Sequence, residues 1–391
     1  MRIVYCANSI CYLGGVERIT IAKANALAAI EGNEVWIVVA ENRKQIALRV
    51  DERVHIVDLK VNYYIDDWKS RWNVLKGFVL KRIQHQKKLK QVLNDISPDI
   101  VISTGFSEKY FLPKLKIKSH PVFIREIHFV SNYRWLVIDP HSKWQRFKTW
   151  LADFFDYRIS IRGYSRIILL THEDKEKFWK NNDKALVIQN PLTVEHSFRS
   201  DQKNKIAIAV GRITKAKNFS SLIRSWKIVH EAHPDWKLEI WGGGDERERN
   251  GLERLMKNLE LQQVVTLKGN TYDIYSQYAQ ASMFVSTSLF EGFGLCIVES
   301  MSCGLPVVCY QCPSGPKDII TDGKDGFLVP LGNERMLADR IIYLIEHEEE
   351  RLKMGTAAIE KSRHYSMDNI IQQWMTLFRT LMDEKSKKNK R

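Results

Sequence analysis

The chain has 391 residues, enough for two α/β domains and too many for one ordinary core. Its apolar fraction of 44%, with 10% aromatics, is that of a globular protein, and the lack of any run of about 18 apolar residues excludes an integral membrane protein. The 60 basic and 46 acidic residues leave a net charge of +14, which calls for an anionic partner: nucleic acid, phosphate or lipid.

The opening MRIVYCANS reads as a strand, Arg2–Ala7, followed by polar and glycine residues, not as a secretory leader, so a cytoplasmic protein is expected. Gly14-Gly15-Val16-Glu17 then opens a helix to about Ala29, and a second strand spans Glu34–Ala40. This order begins a parallel, doubly wound sheet. Further strands are expected at Val54–Leu59, Asp99–Ser103, Val122–Glu126 and Arg166–Thr171. Asp66-Asp67 has the character of an N-terminal helix charge. After it, Trp68–Lys90 carries eight basic residues and no acidic one, interrupted by Trp72, Val74-Leu75 and Phe78-Val79-Leu80. This stretch and the aromatic-rich Trp135–Tyr164 fit two readings: a surface that meets anionic lipid head groups, or a solvated helix face whose apolar residues are core.

Asn190-Pro191-Leu192 closes the first half, and the polar stretch around Ser200–Asn204 marks a boundary, giving domains at 1–198 and 199–365. The second repeats the pattern, with strands at Lys205–Val210, Trp236–Trp241, Val264–Leu267, Met283–Ser286 and Pro306–Tyr310. Helices at Phe219–Ala232, Asp245–Asn258, Tyr272–Ala279 and Leu295–Ser302 alternate with them. In residues 366–391, a helix from Met367 to about Lys385 carries Ile370, Ile371, Trp374, Leu377, Phe378 and Leu381 on one face, to be buried on the first domain. The tail KSKKNKR is expected to be disordered or to touch an anionic surface. The six cysteines fall inside apolar segments, as in a reducing compartment. Cys309 and Cys312 form a C-x-x-C without a second ligand pair, so no metal site is expected there.

In facing sheets of this kind, ligands bind beyond the carboxyl ends of the strands. The segment from Ser286 reads STSLFEGFGLCIVESMSCGLPVV. Glu291 lies in its glycine-rich loop and Glu299 about one turn into the next helix, spaced to grip two hydroxyl-bearing parts of one extended ligand. Gly292, Phe293 and Gly294 free backbone N–H groups before Leu295 at the helix N-terminus, which favours phosphate. In the loop Val210–Phe219, Arg212 offers a planar fork to phosphate oxygens and Lys217 a point charge. Gly242, in Trp241-Gly242-Gly243-Gly244-Asp245, allows close backbone approach to a nucleotide. The loop is not G-x-G-x-x-G, which argues against a dinucleotide site.

The chain resembles the family 4 glycosyltransferases, whose mark E-x7-E stands here as Glu291 through Glu299. The resemblance covers nearly the whole chain and implies the GT-B fold, two Rossmann-like doubly wound parallel-sheet domains facing across a cleft. It further implies that Glu291 contacts the donor sugar, Glu299 the ribose hydroxyls, and Arg212 and Lys217 the donor diphosphate. Gly14 and Gly15 would approach the donor phosphate or the acceptor. His128 stands where the family often has a histidine near the reacting sugar; a structural loop histidine is the other reading. Glu126 would point the same way.

The implied activity is a retaining, metal-independent hexosyl transfer in which the leaving diphosphate helps deprotonate the acceptor on the same face of the sugar. No cofactor is expected. Ser314-Gly315-Pro316-Lys317-Asp318-Ile319-Ile320 resembles a subgroup that builds capsular, exopolysaccharide or protein-linked glycans from UDP-sugars. A UDP-hexose or UDP-N-acetylhexosamine donor and a glycan or lipid-diphosphate-linked acceptor follow, with the protein peripheral on the inner face of an anionic membrane and no nucleic-acid partner. Three alternatives stand beside this: a sugar-nucleotide epimerase of the same architecture, a basic nucleic-acid binder, and a non-catalytic partner subunit.

Overall fold

The computed structural model describes all of the chain except residues 12, 13, 47, 64–70, 140, 390 and 391, and except the side chains of 71–76, 388 and 389. Asp66-Asp67 and the start of the basic stretch therefore lie outside the described residues. The first sheet comprises β1 (Arg2–Ala7), β2 (Glu34–Val39), β3 (Val54–Asp58), β4 (Ile100–Ser103), β5 (Val122–Glu126), β6 (Arg166–Leu169) and β7 (Ala185–Val187). Its order is β3-β2-β1-β4-β5-β6-β7. The second comprises β8 (Ile206–Val210), β9 (Lys237–Trp241), β10 (Val265–Gly269), β11 (Met283–Ser286), β12 (Val307–Tyr310) and β13 (Gly326–Val329), in the order β10-β9-β8-β11-β12-β13.

All the strand pairs are parallel. Parallel strands are covered on both faces, so they read as unbroken apolar runs, and Ile3, Val4, Tyr5 and Cys6 of β1 are all buried. β7 and β13 were not anticipated. Ala185-Leu186-Val187 is too short to show a pattern, and Gly326-Phe327-Leu328-Val329 follows an Asp-Gly pair that reads as a turn.

In the first domain, helices α1 (Gly15–Ala28), α2 (Arg71–Ile96), α3 (Tyr133–Val137), α4 (Lys143–Phe154) and α5 (His172–Phe178) link the strands. The second domain has α6 (Phe219–Ala232), α7 (Glu246–Asn258), α8 (Ile274–Ala279), α9 (Leu295–Ser302), α10 (Pro316–Ile319), α11 (Glu334–Glu346) and α12 (Glu348–Ser362). Then α13 (Met367–Asn389) returns to the first domain, setting Ile370, Trp374, Leu377, Phe378 and Leu381 into the core of Ile3, Tyr5 and Ile37. Each fully buried large side chain there contributes about 1.5–3 kcal/mol. The basic tail differs from expectation, because α13 continues through Asn389. Arg166 bonds Glu384 at 2.8 Å and Lys385 donates to the Ser119 carbonyl at 3.1 Å, so the first domain holds this end of the helix.

Each sheet reverses its strand order once, at β1/β4 and at β8/β11. Loops splay apart at such points, and a ligand crevice opens beyond the carboxyl ends of the strands. In the first domain Asn8 Oδ1 bridges the two loops, accepting from the Phe106 and Ser107 backbone N–H groups, each at 3.2 Å. In the second, Thr287 Oγ1 donates to the carbonyls of Lys217 and Asn218, at 3.1 and 3.0 Å.

Candidate active site

Lys217 and Glu291 come from the two loops of the β8/β11 switch point and meet there. Lys217 Nζ lies 2.5 Å from Glu291 Oε1, and Ser288 Oγ donates to the same oxygen at 2.6 Å. Burial is the largest single influence and works against the charge on Lys217, but Glu291 together with Cys296 and Cys312 lifts the ammonium above its ordinary range. Gly211 allows this, since a Cβ there would press on the Lys217 stem at 2.9 Å. Arg212, next in the chain, is exposed at the cleft. It acts on Glu17 of the first domain, whose carboxyl burial pushes upward while its own backbone N–H and Arg212 draw it down.

Glu299, one turn into α9, is buried with its Oε1 2.5 Å from Arg18 Nη2 of α1. Burial raises its pKa, and Arg18 opposes that rise. Arg18 also donates to Thr193 Oγ1 at 3.0 Å, so one guanidinium ties α1, the interdomain segment and α9 together. Sequence reasoning stopped one residue short of Arg18. Its place in the first turn after Gly14-Gly15 was the available signal, but its partner lies 281 residues away.

On the first-domain side, His128 is buried just past β5, with Nε2 3.5 Å from Glu126 Oε1. Burial pushes its pKa down to about 4, against the pull of Glu126, so the imidazole is neutral at pH 7. Among the described residues no group hydrogen-bonds its Nε2. Glu126 pairs with the buried Lys23, whose Nζ stands 4.6 Å from the centre of the Trp374 ring. Lys23 and Trp374 thus form a layer behind His128 that the sequence did not suggest, since a lysine in an amphipathic helix reads as solvated.

The glycines divide by what surrounds them. At Gly292 a Cβ would stand 2.2 Å from the His128 carbonyl oxygen, so that position sets how closely the domains approach. Gly294 caps α9 with φ +99°, a left-handed conformation suited to glycine. Leu295 is the first residue of α9 and half-buried. Phe293 is buried, its ring 5.6 Å from that of Tyr365, and serves packing. At Gly242 an added Cβ would stand 2.1 Å from the Gly211 carbonyl, because the two loops hydrogen-bond side by side. Gly14 is the N-cap of α1, and the Glu17 carboxylate lies over it, 2.1 Å from an added Cβ, where a phosphate would otherwise approach. Gly15 is open, with nothing within 4 Å of its added Cβ.

A second contact between the domains joins Ser314–Asp318 to the start of α5. Thr171 Oγ1 and Ser314 Oγ are 2.7 Å apart, Glu173 Oε2 accepts from the Ser314 N–H at 2.9 Å, and Asp318 accepts from the His172 N–H. Beside His128, a small pocket is lined by Thr104, Phe106, Lys109, Arg125, Tyr133 and Asp156. A larger cavity of about 650 Å³ opens between α1, residues 48–52 and Thr193-Val194, and shares Arg18 and Thr193 with the cluster around Glu299. Cys309 and Cys312 are buried, and among the described residues no three His, Cys, Asp or Glu side chains group as a metal centre requires.

Two facing parallel-sheet domains, each with its crevice at the switch point of its sheet, form the GT-B fold. Residues 193–361 match the family described as glycosyl transferases group 1. It is 26% identical over 365 residues to an uncharacterized glycosyltransferase of Haemophilus influenzae, covering 92% of this chain and 95% of that protein. Over 168 residues, 43% of this chain and 44% of the relative, it is 31% identical to N-acetylgalactosamine-N,N'-diacetylbacillosaminyl-diphospho-undecaprenol 4-alpha-N-acetylgalactosaminyltransferase of Campylobacter jejuni. Among solved structures, a variant of S. aureus TarM in complex with Fondaparinux, alpha-GlcNAc-glycerol and UDP superposes with a TM-score of 0.75. That likeness is at 16% identity and covers 96% of this chain and 99% of the other.

Proposed function

We propose that the chain moves a hexose or N-acetylhexosamine from a UDP-sugar, with retention and without a metal, onto a glycan or lipid-diphosphate-linked acceptor at an anionic membrane surface, in surface polysaccharide synthesis. The observation that carries the reading is the Lys217–Glu291 pair at the β8/β11 switch point, with Arg212 beside it and His128 opposite across Gly292. In this reading Glu291 holds the donor sugar's hydroxyls and Glu299 the ribose. Arg212, Lys217 and the N-terminus of α9 stabilise the charge that develops on the β-phosphate, with no metal. The diphosphate oxygen takes the acceptor's proton as its hydroxyl attacks on the face the leaving group vacates. Neutral His128 hydrogen-bonds the donor or orients the acceptor. UDP in the TarM complex and the lipid-diphosphate acceptor in the name of the Campylobacter relative support this choice of donor and acceptor.

The test is turnover with a panel of UDP- and GDP-sugars, a membrane extract as acceptor source, and wild type beside Glu291→Ala and Arg212→Ala. Acceptor-dependent release of UDP that both substitutions abolish is the expected result. Absence of nucleotide-sugar binding by the folded wild type overturns the proposal.

A further inference from the structure

Helix α4 turns its apolar side outward. Trp144, Phe147, Trp150 and Phe154 are 63, 52, 54 and 42% exposed, and successive rings stand 6.2, 6.1 and 5.9 Å apart, stacked in a row. Steps of three, three and four residues put all four on one side of the helix. Leu151 and Phe155 widen the strip, Trp135 and Val137 of α3 are exposed beside it, and Thr149 is the one buried residue of α4. An isolated exposed aromatic needs no explanation, but a continuous ladder does.

The exposure is built into the chain. Arg134 and the Trp135 indole N–H both hold Asp153, each at 2.6 Å, which pins α3 to α4. Arg134 also bonds Asp156, the carboxylate that Lys109 meets at 2.8 Å. Asp153, the one acid of α4, is therefore neutralised, while Lys143, Arg146 and Lys148 are exposed. Lys148 Nζ lies 4.8 Å from the centre of the Trp144 ring. A cationic rim around a rigid aromatic strip matches the boundary between anionic head groups and acyl chains. A second apolar edge, Phe78-Val79-Leu80 of α2, is also exposed, and Arg82 of α2 packs over Tyr110, whose hydroxyl donates to Asp156. Lys109, Tyr133 and Asp156 line the pocket beside His128, so the footing of the α3–α4 hairpin is also a wall of that pocket.

We propose that α4 lies in the plane of an anionic phospholipid bilayer, with Trp144, Phe147, Trp150 and Phe154 at the acyl boundary and Lys143, Arg146 and Lys148 among the head groups. This seats the pocket beside His128 at the surface from which a lipid-linked acceptor is presented, and it rests on the membrane part of the proposed function.

The full chain is mixed with vesicles of phosphatidylcholine, or of phosphatidylcholine with phosphatidylglycerol, beside two triple variants. One is Trp144→Glu/Phe147→Glu/Trp150→Glu, and the other is Lys143→Glu/Arg146→Glu/Lys148→Glu. Wild type is expected to sediment with the anionic vesicles, to release as salt rises, and to lose tryptophan emission to lipids brominated on their acyl chains. Both variants are expected to lose about tenfold or more in partition coefficient while keeping the wild-type melting point and UDP affinity. Wild type that ignores both vesicles, or variants that bind them unchanged, overturn the proposal. So does a wild-type oligomer that the aromatic variant turns into monomer, which would assign the strip to a second copy of the chain. UDP binding without vesicle binding removes the anchor and leaves the transferase; vesicle binding without UDP-sugar binding does the reverse.

Discussion

Lys217 Nζ and Glu291 Oε1 meet at 2.5 Å although they stand on different strand-end loops, and the contact closes the switch point of the second sheet. In the proposed reading, a donor diphosphate entering here would compete with Glu291 for Lys217. Lys217→Met should therefore lower kcat/KM by about a hundredfold or more, the scale for losing one electrostatic partner of the transition state. Lys217→Arg should recover part of that loss. Steady-state kinetics with the identified donor check this, and full activity in Lys217→Met would remove the residue from the reaction.

Gly15 and Gly292 give a paired test of space. An alanine Cβ at Gly292 would stand 2.2 Å from the His128 carbonyl, whereas one at Gly15 meets nothing within 4 Å. Gly292→Ala should hold the domains apart and depress turnover with any donor. Gly15→Ala should leave the melting temperature nearly unchanged yet raise the donor KM, if donor phosphate occupies the open space at the start of α1. Thermal melts beside donor titrations separate the two effects.

Apart from β7 and β13, the strands were legible because parallel strands buried on both faces read as apolar runs between glycine and polar loops. Glu291 and Glu299 could be singled out in the sequence because both fall within a single loop and helix. Pairings between distant segments were not. Arg18 finds Glu299, and Lys23 finds Glu126 under Trp374, only once two domains and the returning α13 are assembled. The aromatics of α4 were ambiguous for the opposite reason, since an outward-facing apolar side has the same spacing as one that faces a core.

Arg18 restrains Glu299 from accepting a proton, because burial raises the Glu299 pKa and Arg18 lowers it. In Arg18→Met that restraint is gone, and the carboxyl should stay protonated to higher pH. If ionised Glu299 binds the ribose, the acidic limb of the pH profile for donor KM should move upward in the variant. A profile that keeps its position while the whole curve falls would assign Arg18 to domain packing alone.

Lys23 and Glu126 form a buried pair, so removing one partner should cost about 3–5 kcal/mol and removing both much less. Lys23→Met alone should unfold at markedly lower denaturant than Lys23→Met/Glu126→Gln. Chemical denaturation of wild type, both single variants and the double variant measures the coupling.

His128 supplies a pH dependence of stability whose sign follows from its surroundings. Glu126, Lys23 and Arg125 face it, and burial is the largest influence, holding its pKa to about 4 against an ordinary value of 6.5. Above pH 6.5 the group is neutral in folded and unfolded chains alike and contributes no slope. Between pH 6.5 and about 4 the unfolded chain binds a proton that the folded chain refuses, so stability falls as pH falls. Over the whole window the loss is on the order of 3 kcal/mol. His128→Gln cannot take up that proton in either state, so the stability difference between wild type and variant should drift by this amount across the window. A constant difference would mean that His128 titrates normally in the fold and is open to water.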